Sequence, residues 1–161
     1  MTTSDGYHFT NTDLAQLILQ RYYPERTNNE SAVIRDFLVA HGAEFESFDF
    51  SVRVGVGATP DPSLPQKQQN AIIRASRKRI DILARRGGKP VIVEVKVDIT
   101  PASLGQILTY RHLWLEEHPT EQEPELVIVG RNVDNDTVRA LQAAGITVYV
   151  YTDADTAGTA V

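Results

Sequence analysis

Residues 79–110 read RIDILARRGGKPVIVEVKVDITPASLGQILTY, and this stretch decides the fold. Two apolar runs flank Arg85-Arg86-Gly87-Gly88-Lys89-Pro90, a turn signal, so they are predicted to be neighbouring antiparallel strands. Residues i and i+2 of a strand point to one face. Ile92, Glu94, Lys96 and Asp98 therefore share a face, while Val91, Val93, Val95 and Val97 line the other. Asp81 lies on the first run and Glu94 and Lys96 on the second. Gln106 and Tyr110 follow four residues apart on a helix opened by Thr100-Pro101. Charged side chains in a run of Val and Ile are costly if merely buried. That cost marks Asp81, Glu94 and Lys96 as a candidate site.

The chemistry such a cluster suits is metal-assisted hydrolysis of a phosphodiester. Two carboxylates from adjacent strands offer hard oxygen ligands, the kind Mg²⁺ or Mn²⁺ prefers. A nearby Lys can orient the attacking water or stabilise developing negative charge. The order Asp81, then Glu94-Val95-Lys96 on the next strand, resembles the PD-(D/E)XK nuclease superfamily. Gln106-x-x-x-Tyr110 on the following helix is similar to its NucS-type branch, related to the RecB-like and Holliday-junction nucleases. The resemblance covers roughly residues 28–151. It implies a restriction-endonuclease-like α/β core, a mixed central sheet flanked by helices, and a Mg²⁺-dependent nuclease cutting DNA to leave a 5′-phosphate and a 3′-hydroxyl.

Carried over residue by residue, the resemblance makes Asp81 and Glu94 metal ligands, with the Val95 carbonyl beside them. Lys96 would position or activate water. Glu30 would complete the metal site from a preceding helix; a helix-dipole role at that N-terminus is the alternative, and Glu25 is the substitute candidate. Gln106 and Tyr110 would orient Lys96 or the phosphate; otherwise they are a surface Gln and a core-edge Tyr. Arg77, Lys78, Arg79, Arg85 and Arg86 are candidate DNA phosphate contacts. A homodimer is a partner the resemblance allows, since small relatives pair to cut both strands. NucS-type enzymes carry a separate N-terminal domain, absent from this stretch of chain, so their substrate preference does not carry over. A different class of reading is a catalytically idle nuclease-fold module that binds DNA or a protein partner. The intact Asp, Glu and Lys argue against it.

Outward from this centre, the pattern predicts one domain. A lead-in of residues 1–27 holds loose residues to 9, then a helix capped by Thr10 or Thr12 with Leu14, Leu17 and Ile18 on one face. A second helix follows Asn28-Asn29, burying Val33, Ile34, Phe37 and Leu38 and stopping at Gly42. Residues 44–56 alternate as a half-buried strand, with Phe48, Phe50, Val52, Val54 and Val56 on one face. Residues 57–70 carry Pro60, Pro62 and Pro65 and are expected to form a mobile loop, with a strand over Ala71–Arg86 after it. Leu126–Gly130, a helix capped by Asn135 or Asp136, and Ile146–Tyr151 make a βαβ ending, hence a parallel edge on an antiparallel start. Residues 152–161 are expected to be a flexible tail.

Composition narrows the class. Hydrophobic residues at 42% and charged residues at 23% are ordinary for a globular chain. The absence of Cys excludes disulfides, thiol catalysis and Cys-ligated zinc or iron–sulfur centres. No apolar run approaches a membrane span and no secretory signal opens the chain, so a cytoplasmic protein with no membrane partner is expected. His8, His41, His112 and His118 show no paired metal spacing, and no phosphate-binding glycine loop is present. Net charge is −5, yet nine Lys or Arg and two acids between Lys67 and Lys96 make that segment +7. Positive charge gathered around the candidate site is what a phosphate-binding surface requires.

Overall fold

A computed structural model describes residues 7–152, together with the backbone of 159 and 160. Among the described residues seven strands form a single sheet whose spatial order follows the chain: β1 (Tyr7–Thr10), β2 (Ser47–Val54), β3 (Lys78–Arg86), β4 (Lys89–Val95), β5 (Glu125–Gly130), β6 (Thr147–Val150) and β7 (Thr159–Ala160). The β1–β2, β2–β3 and β3–β4 pairs are antiparallel, and β4–β5 and β5–β6 are parallel. The expected mixed sheet between helices is therefore present. Two-residue turns can join only antiparallel neighbours, and Gly87 and Gly88, both at positive φ, make the β3–β4 turn. The parallel pairs need crossovers, which α4 (Ala102–Glu117) and α5 (Asn135–Ala143) supply.

The sheet separates two cores. On one side α1 (Leu14–Leu19) and α2 (Asn28–His41) bury Leu17, Val33, Ile34 and Phe37 against Phe48, Phe50, Val93 and Val95. On the other, Ile107, Tyr110 and Trp114 of α4 and Leu141 of α5 pack on Ile80, Ile92 and Ile128. Burying such large side chains contributes on the order of 1.5–3 kcal/mol each before the entropy of ordering is subtracted. The β4 alternation is as expected, with Val91, Val93 and Val95 in the first core and Ile92 in the second. Among the described residues no helix is long and apolar enough to cross a membrane.

Several expectations are corrected. Tyr7–Thr10 is not loose but pairs with β2; residues 1–6 lie outside the described residues. The segment expected as a loop followed by a strand from Ala71 instead contains α3 (Gln66–Ser76), and β3 begins only at Lys78. Ile72 and Ile73 look strand-like alone but lie inside this helix, at whose last residue Ser76 Oγ donates to their carbonyls. Asp134 caps α5, accepting from the Thr137 amide, one residue before the expected cap. In the expected tail, Thr159–Ala160 pairs with β6, while residues 153–158 and 161 lie outside the described residues. The five even-numbered residues of the second strand do not share a face either, and the reason leads directly to the site.

Candidate functional site

Phe48 and Phe50 enter the first core, whereas Val52 and Val54 enter the second. Val56 lies beyond the strand, exposed. A period of two forbids a change of face unless the backbone turns between Phe50 and Val52. Ser51 makes that turn at φ 60°, in the left-handed region. The neighbouring strand does the same: Ile82 and Ala84 join the first core, but Ile80 joins the second. The residue between is Asp81, which falls opposite Ser51 between the Phe50–Ile82 and Val52–Ile80 pairs. Both strands thus change face at one rung, and Asp81 stands on it.

The β3–β4 pairing ends at Ile82–Val93, and the Asp81 side chain continues the link. Its Oδ2 accepts from the Val95 amide at 2.8 Å. Its Oδ1 lies 2.5 Å from Arg26 Nη1, and both side chains are 5% exposed. Arg26 comes from the connection between α1 and α2. That connection is pinned by Ser51 Oγ, which donates to the Pro24 carbonyl at 3.1 Å, and by Arg53 and Arg79, which both pair with Glu25. Glu25 has φ 57°; it and Ser51 are the non-glycine residues at positive φ among the described residues. Sparsely populated backbone held in place on both sides of a buried ion pair is typical of functional sites.

Glu94 sits beside this pair with its side chain 0% exposed. Lys96 Nζ lies 2.7 Å from Glu94 Oε1, itself 30% exposed, so it spans from the interior toward solvent. Among the described residues neither Glu94 oxygen has a hydrogen bond of good geometry. Burial pushes the Glu94 carboxyl up to about 8, the nearby Asp81 charge adds to this, and Lys96 works against it. Asp81 is also raised by burial, against the pull of Arg26 and of the Val95 amide. Gly130, ending β5, lets the chain close on this point: an added Cβ would fall 2.9 Å from the Lys96 carbonyl oxygen.

The remaining candidates fall around this centre at different distances. Burial raises Glu30, but its hydrogen bonds from the Thr27 amide and hydroxyl outweigh that and hold it low. It is the reciprocal member of a capping box, with Thr27 Oγ1 accepting from the Glu30 amide, so its carboxylate already serves the start of α2. Gln106 Nε2 donates to the Tyr110 hydroxyl at 2.7 Å. Burial pushes that hydroxyl up to about 12, with the Glu94 and Asp81 charges adding to it. Val95 meets Asp81 through its amide.

Of the basic residues, Arg77 pairs with Glu117, Arg79 with Glu25, Arg85 with Glu121, and Arg86 with Glu44 and Glu125. Arg85 is four strand residues from Asp81, about 13 Å toward the opposite end of the sheet. Among the described residues Lys78 has no ion-pair partner, and it lines a pocket of about 270 Å³ with Gln106 and Tyr110. A second pocket, about 480 Å³, opens at the carboxyl ends of β4 and β5 between Asn29, Val97, Arg131 and Asn132. Ligands of open α/β sheets bind at such strand ends.

Asp81 and Glu94 fit a small divalent cation by chemistry: two neighbouring carboxylates, one of them wholly buried with Lys96 as its ion-pair partner, match the one or two protein carboxylates Mg²⁺ uses. Among the described residues no third acid or His joins them as a metal-ligand cluster. Arg26 and Ser51 escaped the reading of the sequence. Arg26 has a Glu before it and a helix cap after it, the local signature of a surface loop, and Ser51 is one polar residue in a well-alternating strand. Nothing local distinguishes either from a solvated side chain. No protein-family model, curated protein or solved structure matches this chain.

Proposed function

We propose that this protein is a metal-dependent nuclease with a restriction-endonuclease-like core, hydrolysing DNA phosphodiester bonds at Asp81, Glu94 and Lys96. The observation that carries this reading is Glu94. A carboxylate wholly buried, raised toward neutrality and met by one ammonium, Lys96, is expensive, and beside a second buried carboxylate it has no packing rationale. Asp81 and Glu94 are the residues that would hold Mg²⁺ or Mn²⁺. When bound, such an ion supplies Lewis acidity, lowering the pKa of water and offsetting charge on the phosphate. Lys96 extends from Glu94 to the mouth, where its ammonium stabilises the charge that develops on phosphate oxygens and donates through Nζ to the attacking water. Tyr110, tied to Gln106, lies within electrostatic reach of both carboxylates and would orient the phosphate or Lys96. Lys78, exposed and lining a pocket with Gln106 and Tyr110, would hold a neighbouring phosphate.

The test is cleavage of plasmid, single-stranded and branched DNA with Mn²⁺. Wild type cuts at least one of these, whereas Asp81→Ala, Glu94→Ala and Lys96→Ala each lose about 10²-fold or more of the rate, in line with the loss of one electrostatic stabiliser. A folded wild type that binds these DNAs without cutting any would favour the idle-module reading. That reading also has an observation behind it, since Arg26 already pairs with Asp81 and Lys96 with Glu94.

A further inference from the structure

The Asp81 carboxylate is bonded on both oxygens, and one of its partners is a full positive charge. Arg26 and Lys96 stand against Asp81 and Glu94, two cations facing two acids, so the cluster is already balanced once both acids are ionised. A divalent ion entering between the carboxylates would add two charges to that balance. At separations of a few ångströms in a buried site such an excess is strongly unfavourable. Lys96 reaches solvent and can turn outward, but Arg26 is buried over Asp81 itself.

Arg26 is also loosely tied for a buried guanidinium. Only Nη1 has a partner; Nε and Nη2 are buried and make no hydrogen bond among the described residues. A fully satisfied guanidinium uses its fork on two acceptors, and donors left without one cost free energy. The contact is therefore short but incompletely compensated, and its loop is held by neighbours other than Arg26: Ser51 on Pro24, and Arg53 and Arg79 on Glu25. The side chain can leave without the loop coming apart.

We propose that Arg26 is a resident counter-ion that occupies the cation position on Asp81 and must withdraw before a divalent ion can bind there. This rests on the reading of Asp81 and Glu94 as metal ligands, and it adds a residue that sets metal affinity by competing for the same carboxylate. Arg26 thereby keeps the site weak toward free divalent ions.

The measurement is Mn²⁺ affinity, read by electron paramagnetic resonance of the free ion, for the full chain of wild type, Arg26→Gln, Arg26→Lys and each combined with Asp81→Ala. Arg26→Gln binds Mn²⁺ at least about tenfold more tightly than wild type, because a competing charge a few ångströms away is gone. Arg26→Lys stays nearer wild type, and Asp81→Ala abolishes the gain. If Arg26→Gln is unfolded without metal, Mn²⁺ restores its circular dichroism and raises its thermal midpoint more than that of wild type. Equal or weaker binding by folded Arg26→Gln, a gain that survives Asp81→Ala, or an Arg26→Gln chain that stays unfolded in saturating Mn²⁺ overturns the counter-ion assignment alone, provided wild type binds Mn²⁺ through Asp81. Binding by none of the proteins removes the metal-centre reading and the counter-ion with it.

Discussion

Glu94 is where local preference and tertiary placement disagree most. Its carboxyl is raised from an ordinary value of 4.5 to about 8, so the folded protein keeps a proton that the unfolded chain releases. Below pH 4.5 both states are protonated and Glu94 contributes nothing to pH dependence. Between 4.5 and 8 the unfolded chain is the more ionised, so stability falls as pH rises, and above 8 the full penalty stands. The groups facing it are Asp81, Lys96, Arg26 and the Tyr110 hydroxyl. We therefore expect the metal-free protein to lose on the order of 1 kcal/mol or more between pH 5 and 8 in denaturant titrations, and Glu94→Gln to flatten that loss. An unchanged slope in Glu94→Gln would show that Glu94 is not the group responsible. Mn²⁺ binding near pH 7 should likewise release protons, seen as a dependence of the calorimetric heat on buffer ionisation enthalpy, and Glu94→Gln should remove that release.

At the scale of elements, the rung shared by Ser51 and Asp81 matters more than any single helix. It turns β2 and β3 so that the even-numbered residues of each serve the α1–α2 core at one end and the α4–α5 core at the other. The left-handed backbone at Ser51 tolerates Gly, and its hydroxyl is worth about one hydrogen bond to Pro24. Ser51→Gly should change stability by no more than about 1 kcal/mol. Ser51→Val, β-branched at φ 60° and without a donor, should cost about 2 kcal/mol or more by chemical denaturation. It should also reduce DNA cleavage, because Asp81 moves with the rung; a Val variant as stable and active as wild type would mean that the face change is not what orients the acid. The elements themselves were largely legible: β4, the course of α2 and α4, and the parallel ending all follow from apolar period and turn residues. The 66–76 segment was not. Its one apolar pair fits either period, so the apolar pattern does not separate helix from strand there.

Across the whole molecule, charge is distributed differently from what the segment total suggests. The +7 between Lys67 and Lys96 is spent largely within the chain: Arg77, Arg79, Arg85 and Arg86 are each paired with Glu residues drawn from elsewhere in the sequence. A phosphate contact made by a paired Arg must first give up its partner, so it contributes less than a free Lys. Lys78→Ala should thus reduce the slope of log affinity for DNA against log salt by about one, while Arg85→Ala and Arg86→Ala change it less. Equal losses at all three positions would return the phosphate surface to the hairpin end of the sheet.

By itself the sequence determined the mixed sheet, the two-sided core and the adjacency of Asp81 to Glu94 and Lys96, because strand period, turn chemistry and caps act over a few residues. Only the tertiary structure decided that Ser51 turns two strands at the Asp81 rung, that the Glu94 oxygens lie sealed, and that Arg26, 55 residues before Asp81, comes to rest on it. These contacts join segments far apart in the chain. Their cause is a backbone torsion and the neutralisation of a buried charge, neither of which leaves a local period to read.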